Sequence, residues 1–380
     1  MNDAVIVAAR RTPTGKRKGM LSGIHPADLG AIAVADVVAQ TGIDPEVIDD
    51  VIFGCVSQSG EQTGDIARTV ALSAGLPESV PGVTVDRQCG SSQQAVHFAA
   101  AGLIAGQYDV VVAGGVESMS RVPMGSSAAG QSPYGQKFNA RYDDVTPNQG
   151  IGAEMIAEQW KLSRTQLDEL AVRSHELAAA ATDAGRFESQ IITVSTESGD
   201  LRTDEGIRRG TSVDKLAGLD TVFKQDGVVT AGNASQISDG SAAMLMMTSA
   251  KAKELGLTPI AKVHTAVLAG ADPVIMLTGP IPATAKALKK SGLSVDDIGV
   301  FEINEAFASV PLAWLQETGA DIKRLNPNGG AIALGHPLGG SGARLMTTMI
   351  HHMQQQGIRY GLQSMCEGGG QANATILELL

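Results

Sequence analysis

Apolar residues fall into two alternating patterns along most of this chain. Short apolar runs, such as Ala4-Val5-Ile6-Val7-Ala8-Ala9 and Val110-Val111-Val112-Ala113-Gly114-Gly115, predict buried strands. Longer stretches lie between them. Ala27 to Gln40 reads as a helix, Pro45 to Asp50 leads into the strand Val51-Ile52-Phe53-Gly54-Cys55, and Ala95 to Ile104 reads as a long helix of small residues. This alternation predicts an α/β fold, with parallel sheets covered by helices. From about Met119 to Thr230 the texture changes. Gly, Ser, Asn, Pro and Gln dominate Arg121 to Gly152, a charged amphipathic helix spans Ser163 to Ala184, and polar, Gly-rich turns run on to Gly232. A structureless loop of that length is implausible in a compact protein, so the stretch reads as an insertion with its own helices.

The two ends of the chain echo each other. Cys89-Gly90-Ser91-Ser92 opens a helix that ends near Gly106 and leads to the strand Asp109 to Gly115. Gly335-His336-Pro337-Leu338-Gly339-Gly340-Ser341-Gly342 opens a helix that ends near Gly357 and leads to Tyr360 through Cys366. The shared order of turn, buried helix, glycine, strand and glycine cluster predicts a duplicated α/β unit, with reactive residues at corresponding ends of the two copies.

Composition narrows the functional classes. The 380 residues suffice for two or three domains, and a chain that is 43% hydrophobic but 3% aromatic, with 45 glycines, builds its cores from Ala, Val, Ile and Leu. A net charge of −11 argues against nonspecific nucleic-acid binding. A phosphorylated ligand would need local basic residues or helix N-termini. Three cysteines without a CxxC pair give neither a disulfide framework nor a zinc pattern, and fit the reducing cytoplasm. The N-terminus enters a strand directly, which reads as no signal peptide, and no run of about 20 apolar residues suggests membrane insertion.

Four segments carry candidate chemistry. Cys89 sits at a strand-to-helix turn, where the helix dipole is expected to lower its pKa and favour the thiolate. A buried, inert cysteine is the competing reading. The second segment, Val300-Phe301-Glu302-Ile303-Asn304-Glu305-Ala306-Phe307, is a strand that breaks into polar residues. The third, Gly329-Gly330-Ala331-Ile332-Ala333-Leu334-Gly335-His336-Pro337, holds a histidine in a tight loop. The fourth, Cys366-Glu367-Gly368-Gly369-Gly370, sets a cysteine against glycines. Each alone has a structural explanation: a loop histidine, a helix cap, a small buried residue, plain turns. Together they suit carbon–carbon bond chemistry next to a thioester. That chemistry needs an acyl-carrying nucleophile (Cys89), a base to activate it (His336) and a second acid/base for a Cα proton (Cys366). It also needs oxyanion donors, from the backbone N–H groups of Cys89 and Gly368 and from His336 with a water held by Asn304. Glu305 is expected to support the same loop. The adjacent His351 and His352 read as surface residues facing different ways.

The sequence resembles the thiolases, the acetyl-CoA acetyltransferases and 3-ketoacyl-CoA thiolases. The resemblance runs from Val5-Ile6-Val7-Ala8-Ala9-Arg10-Arg11-Thr12-Pro13 to the C-terminus. It includes Asn304-Glu305-Ala306-Phe307, Asn328 through Pro337, Cys366 through Gly370, and Val229-Thr230-Ala231-Gly232-Asn233-Ala234-Ser235. It implies the thiolase fold, a duplicated five-layered α-β-α-β-α core with an inserted loop domain. Residues 1–118 would form the N-terminal half, completed by about 233–250, residues 119–232 the loop domain that grips coenzyme A, and residues 251–380 the C-terminal half. It also implies a homodimer or homotetramer, ping-pong chemistry through an acyl-cysteine, coenzyme A and acyl-CoA as substrates with no permanent cofactor or metal, and a place in fatty-acid β-oxidation. Coenzyme contacts implied by the resemblance fall on Ser235, Thr265, Phe223, Met276 and Phe307.

Several positions depart from the short-chain biosynthetic pattern. Asn148-Gln149 stand where those enzymes carry a His-Met pair, and Leu277 replaces a glycine. Gly15-Lys16-Arg17-Lys18-Gly19 and Cys366 through Asn373 look more like degradative actinobacterial thiolases, including those acting on steroid side chains. The resemblance therefore implies a pocket that takes more than an acetoacetyl group, gated by the loop near Tyr134 to Asn148. An acetoacetyl-CoA thiolase is the alternative. Condensing enzymes of the ketoacyl synthase type lack a second cysteine such as Cys366. A noncatalytic acyl-CoA-binding scaffold would be expected to have lost Cys89 or His336.

Overall fold

In the computed structural model, which describes residues 2–380, the first apolar run becomes β1 (Val5–Arg11), followed by the two-residue β2 (Gly15–Lys16). Helix α1 (Pro26–Thr41) begins on a proline, with the His25 ring accepting from the Ala27 N–H, and stops at Gly42 in the left-handed conformation. Then come β3 (Asp50–Gly54), α2 (Ile66–Ser73), β4 (Gly82–Val85), α3 (Ser91–Ala105) and β5 (Val110–Ser118). The insertion carries α4 (Gln136–Arg141), α5 (Gln149–Gln159), α6 (Arg164–Asp183), the hairpin of β6 (Val194–Thr196) and β7 (Gly199–Leu201), and α7 (Val213–Ala217). The chain returns in β8 (Ser238–Met247) and α8 (Ser249–Glu254). The second half is β9 (Ala261–Gly270), α9 (Pro280–Ser291), β10 (Val300–Ile303), α10 (Ser309–Thr318), α11 (Ala331–Leu334), α12 (Leu338–Gln356), β11 (Tyr360–Glu367) and β12 (Gln371–Leu379).

The strand order makes the duplication explicit. One half runs β4-β3-β5-β8-β1 and the other runs β10-β11-β12-β9. In the first, β3 is parallel to β4 and β5, while β8 is antiparallel to β5 and β1. In the second, β10 is parallel to β11, while β12 is antiparallel to β11 and β9. A parallel bridge from Phe301 to Leu325 stands where β4 stands in the first half. The two half-sheets join through Val5–Lys262 and Ile6–Ala261 of β1 and β9.

Three hydrophobic layers follow from this plan. Helices α1 and α2 cover the outer face of the first sheet, α9 and α10 that of the second, and α3 and α12 lie between the sheets. Together with the two sheets this makes five layers. Helix α12 is buried along most of its length, and α3 on every face but the one that carries Phe98, Ala101 and Ile104. They also touch closely: a side chain at Gly342 would strike the Gln93 backbone. Buried amides between the layers pair with each other, Gln363 donating to Gln93 Oε1 at 3.0 Å and Gln93 donating to Thr375 Oγ1 at 2.7 Å.

The insertion is joined to both halves. Residues of α5 and α6, with Leu216 and Val229, share a cluster with Met276, Phe307, Ile332 and Cys366, while Val194 and Leu201 join the outer core of the first half. The sequence-based reading of His351 and His352 as surface residues needs correction. His352 is buried, 3.2 Å from the Asn328 amide, and His351 lies between Ser189 and the Ala9 carbonyl. The duplicated core buries the last helix on more faces than a single amphipathic stripe. Among the described residues, no helix is long and apolar enough to cross a membrane.

Candidate active site

Cys89 sits on a sharp turn between β4 and α3. Gln88 takes a left-handed backbone (φ 49°), and the N–H groups of Gly90 and Ser91 bond back to the Arg87 and Gln88 carbonyls. The thiol is buried among Met119, Leu338, Leu345 and Met365. The helix-start argument predicted a lowered pKa, and here the structure overturns it. Burial pushes the Cys89 thiol well up, and nearby Cys366, Glu367 and Glu117 add to the rise. A helix terminus cannot offset full desolvation of a thiolate, so the resting residue is a thiol that needs a base.

His336 is held in the turn before α12. Its N–H donates to Ser238 Oγ at 3.1 Å, and its Nδ1 lies 2.6 Å from Ser341 Oγ. The Ser341 hydroxyl gives its single proton to the Pro337 carbonyl at 2.8 Å. Ser341 therefore accepts from Nδ1–H, and Nε2 of the neutral ring keeps its lone pair. Burial, with a smaller push from the Arg344 charge, drops the imidazole to about 3, so it is neutral at pH 7.

Asn304 links this ring to the second cysteine. Its N–H pairs with Ser364 O across the β10–β11 ladder, and its side-chain amide lies 3.3 Å from His336 Nε2. The same side chain favours the thiolate of Cys366, which burial and Glu367 otherwise push up to about 12. Asn304 Oδ1 is buried without a partner. Glu305 braces the surrounding loops: it accepts from Ser174 Oγ at 2.6 Å, Asn326 Nδ2 at 2.9 Å and the Ile332 N–H at 3.2 Å. Gly368 lies against the Gln88 side chain, which brings the Cys366 turn beside the Cys89 turn. The third cysteine, Cys55, is buried at the end of β3 beside Glu117.

The residues expected at the coenzyme divide. Phe223 and Phe307 meet edge to face at 5.8 Å, and Phe307 and Met276 share a cluster with Cys366. Met276 is held in a left-handed backbone (φ 60°), a strained state for a residue with a side chain. Ser235 lines a cavity of about 590 Å³ together with Lys16, Arg17 and Arg208, and Ile237 of the same wall packs on the Cys89 cluster. Thr265 is elsewhere. It lies on β9, 2.9 Å from His264, and lines a separate cavity with His97, Lys286 and Lys290 that shares no residue with the first. The register of β9 against β12 sets it there, a feature that motif spacing does not carry. Sequence reasoning gave no role to Ser341, Arg208 or Glu367. Ser341 could have been found as a hydroxyl one turn into the helix after His336.

The model of the thiolase N-terminal domain matches residues 4–250 and that of the thiolase C-terminal domain residues 257–379. The steroid 3-ketoacyl-CoA thiolase FadA6 of Mycobacterium tuberculosis is 53% identical over all of this chain and 95% of its own length. A 3-ketoacyl-CoA thiolase of Bacillus subtilis is 42% identical over the full length of both. The crystal structure of the Bacillus anthracis acetyl-CoA acetyltransferase superposes with a TM-score of 0.91 at 39% identity, covering 100% of this chain and 99% of that one. With both domain models, full-length relatives and the duplicated fold in agreement, this chain belongs to the thiolase family.

Proposed function

We propose that this thiolase cleaves 3-ketoacyl-CoA with coenzyme A through an acyl group carried on Cys89. The observation that carries the reading is Asn304, whose one amide faces both the His336 base and Cys366 beside the Cys89 turn. In the first half-reaction His336 Nε2 takes the Cys89 proton and the sulfur attacks the keto carbon. The Cα–C bond breaks, and Cys366 protonates the leaving acetyl-CoA enolate. In the second, the Cys366 thiolate takes the coenzyme A proton, the coenzyme sulfur attacks the acyl-cysteine, and the Cys89 sulfur leaves and regains its proton from His336, releasing the shortened acyl-CoA. The N–H groups of Cys89 and Gly368 are suited to one oxyanion, and His336 with an Asn304-bound water to the other.

The cavity beside Ser235 supports coenzyme binding. Lys16, Arg17 and Arg208 gather there from distant segments of an acidic chain, as phosphate recognition requires. The insertion, residues 119–232, would cover the pantetheine, with Phe223, Met276 and Phe307 at its inner end. Asn148 caps α5 by accepting from the Gly150 and Ile151 N–H groups, so it shapes the helix start beside that wall. The relatives' names divide between steroid and acetyl substrates. Larger acyl groups are favoured by the Leu277 and Asn148 departures, with an acetoacetyl pocket as the second reading. Exposed Val83 on the unpaired edge strand β4, with Phe98 and Ile104 on α3, supports assembly as a homodimer or as a homotetramer built from it. Three free cysteines suit a cytoplasmic location.

Thiolysis of four-carbon to sixteen-carbon and steroid side-chain 3-ketoacyl-CoA substrates tests the substrate reading. Each buried CH₂ adds roughly 0.8 kcal/mol, so kcat/KM should rise with chain length. A maximum at acetoacetyl-CoA followed by a steep fall would establish the alternative. No thiolysis of any member would defeat both.

A further inference from the structure

Glu367 is a fourth ionisable side chain at the centre, beside Cys89, His336 and Cys366, and the chemistry above does not use it. It is fully buried at the end of β11, directly after Cys366. The one donor close to its carboxyl is the Asn373 N–H, and no other hydrogen-bond partner reaches either oxygen. The carboxyl packs on Gly90, the residue after Cys89: a side chain there would run into it and into the Asn373 amide. That amide donates to Gly90 O at 3.0 Å, so Glu367 and Asn373 together back the Cys89 turn.

A corresponding position provides a control within the fold. Glu117 is the last residue but one of β5 and Glu367 the last of β11, each on an inner strand of its half-sheet. Glu117 accepts from the N–H groups of Val56, Ser57 and Gly339 and from Gln62 Nε2, at 2.7–3.0 Å. Burial raises its pKa, and these four donors oppose the rise. Glu367 has no such shell. The Arg87 guanidinium is near, but it forms no ion pair with Glu367 and donates to Gln371 Oε1 at 2.9 Å. An ionised carboxyl without donors is costly to bury, and a carboxylic acid far less so. Burial pushes the Glu367 carboxyl up to about 8, opposed by Arg87 and the Asn373 N–H and reinforced by Asp86.

We propose that Glu367 is a positioning residue that supports the Cys89 turn as a neutral acid, and that its ionisation withdraws both cysteines from reaction. The proposal rests on the reading that Cys89 and Cys366 act in turn as thiolates. The groups facing this cluster are Asp86 and Arg87 on the turn before α3, Cys89 at its end, Cys366 on β11, and, acting on Cys89, Glu117 from β5. A negative charge on Glu367 opposes the thiolate of either cysteine. The enzyme would therefore lose activity on the alkaline side, where an unassisted thiol would gain it.

The test compares the intact wild-type enzyme with Glu367→Gln, which keeps the shape and cannot ionise. Pseudo-first-order alkylation of Cys89 by iodoacetamide, located by peptide mass spectrometry, is followed from pH 6.5 to 9.5. The two proteins should converge at the acid end, and E367Q should react roughly tenfold faster at pH 9, about one pKa unit of relieved repulsion. The alkaline fall in thiolysis should move upward in the same variant. In parallel, infrared titration of wild type against E367Q should show a protonated-carboxyl band that disappears only above neutral pH. Profiles that superpose, or that differ by a constant factor at every pH, would overturn the proposal, as would a band that titrates with the ordinary carboxyls. Should E367Q not fold, Glu367→Met supplies the same comparison. An acyl adduct absent from Cys89 would defeat the catalytic reading, while the infrared band would still report on Glu367.

Discussion

The two halves share one topology but contribute different chemistry. In the N-terminal half the turn before α3 presents Cys89, the proposed nucleophile. In the C-terminal half the equivalent turn before α12 presents His336, and the equivalent central strand ends on Cys366. The contrast extends to the strand-end carboxyls. Glu117 is surrounded by four donors, whereas Glu367 has only the Asn373 N–H near it. A duplicated backbone thus offers two equivalent positions per feature, and local hydrogen bonding decides which copy becomes structural and which reactive. The structural copy is the one whose polar atoms are all satisfied.

The sharpest way to break this asymmetry is Cys89→Ala. Turnover should be lost with the fold intact, and mass spectrometry of wild type incubated with acyl-CoA should find the adduct on Cys89. An adduct on Cys55 or Cys366 would reverse the division of labour. His336→Ala and Cys366→Ala come next, at roughly 10²–10⁴-fold each, the usual contribution of one general acid or base. They should fail differently. H336A should slow acylation of Cys89, while C366A should still acylate but stop exchange of the Cα proton with deuterated solvent. Asn304→Ala follows, lowering kcat by roughly 10–10³-fold with little change in KM, because an oxyanion contact strengthens mainly in the transition state.

Smaller effects sharpen the carboxyl comparison. Glu117→Gln should lower stability by about 1–3 kcal/mol, since an amide cannot satisfy three backbone N–H groups and Gln62 as a carboxylate does, and it should lower Tm accordingly. Its pH–alkylation profile should keep the wild-type shape. Overall stability should depend on pH in a bounded way. His97 and His336 are held at about 3, and His175 and His352 at about 4, chiefly by burial. Each contributes stability that is complete above the unfolded value of about 6.5 and is lost as pH falls toward the folded one. Glu302 and Glu367, raised to about 8, act in the opposite sense: the native state binds their protons more tightly, so stability declines as pH rises from about 4.5 toward 8. The two windows overlap between about 4.5 and 6.5, and with four histidines against two carboxyls a plot of Tm against pH should peak near the upper edge of that overlap, while E367Q should flatten its alkaline side.

Much of this molecule was legible in its residues. Alternation of apolar runs predicted the α/β layers because strands and helices bury side chains at different spacings. The echo between the Cys89 and His336 turns predicted a duplication, which the strand order bears out. The motifs pointed to the thiolase family because their glycines, cysteines and histidine occur in fixed local order. What the sequence could not convey was set by contacts between distant segments. Desolvation, which depends on everything packed around a thiol, reversed the expected pKa shift of Cys89. Strand register sent Thr265 to another cavity, and helix packing buried His352. The basic wall of Lys16, Arg17 and Arg208 exists only where the chain folds those segments together. Local spacing specifies which groups are available, but charge state and partnership depend on neighbours hundreds of residues away, and those only the tertiary structure decides.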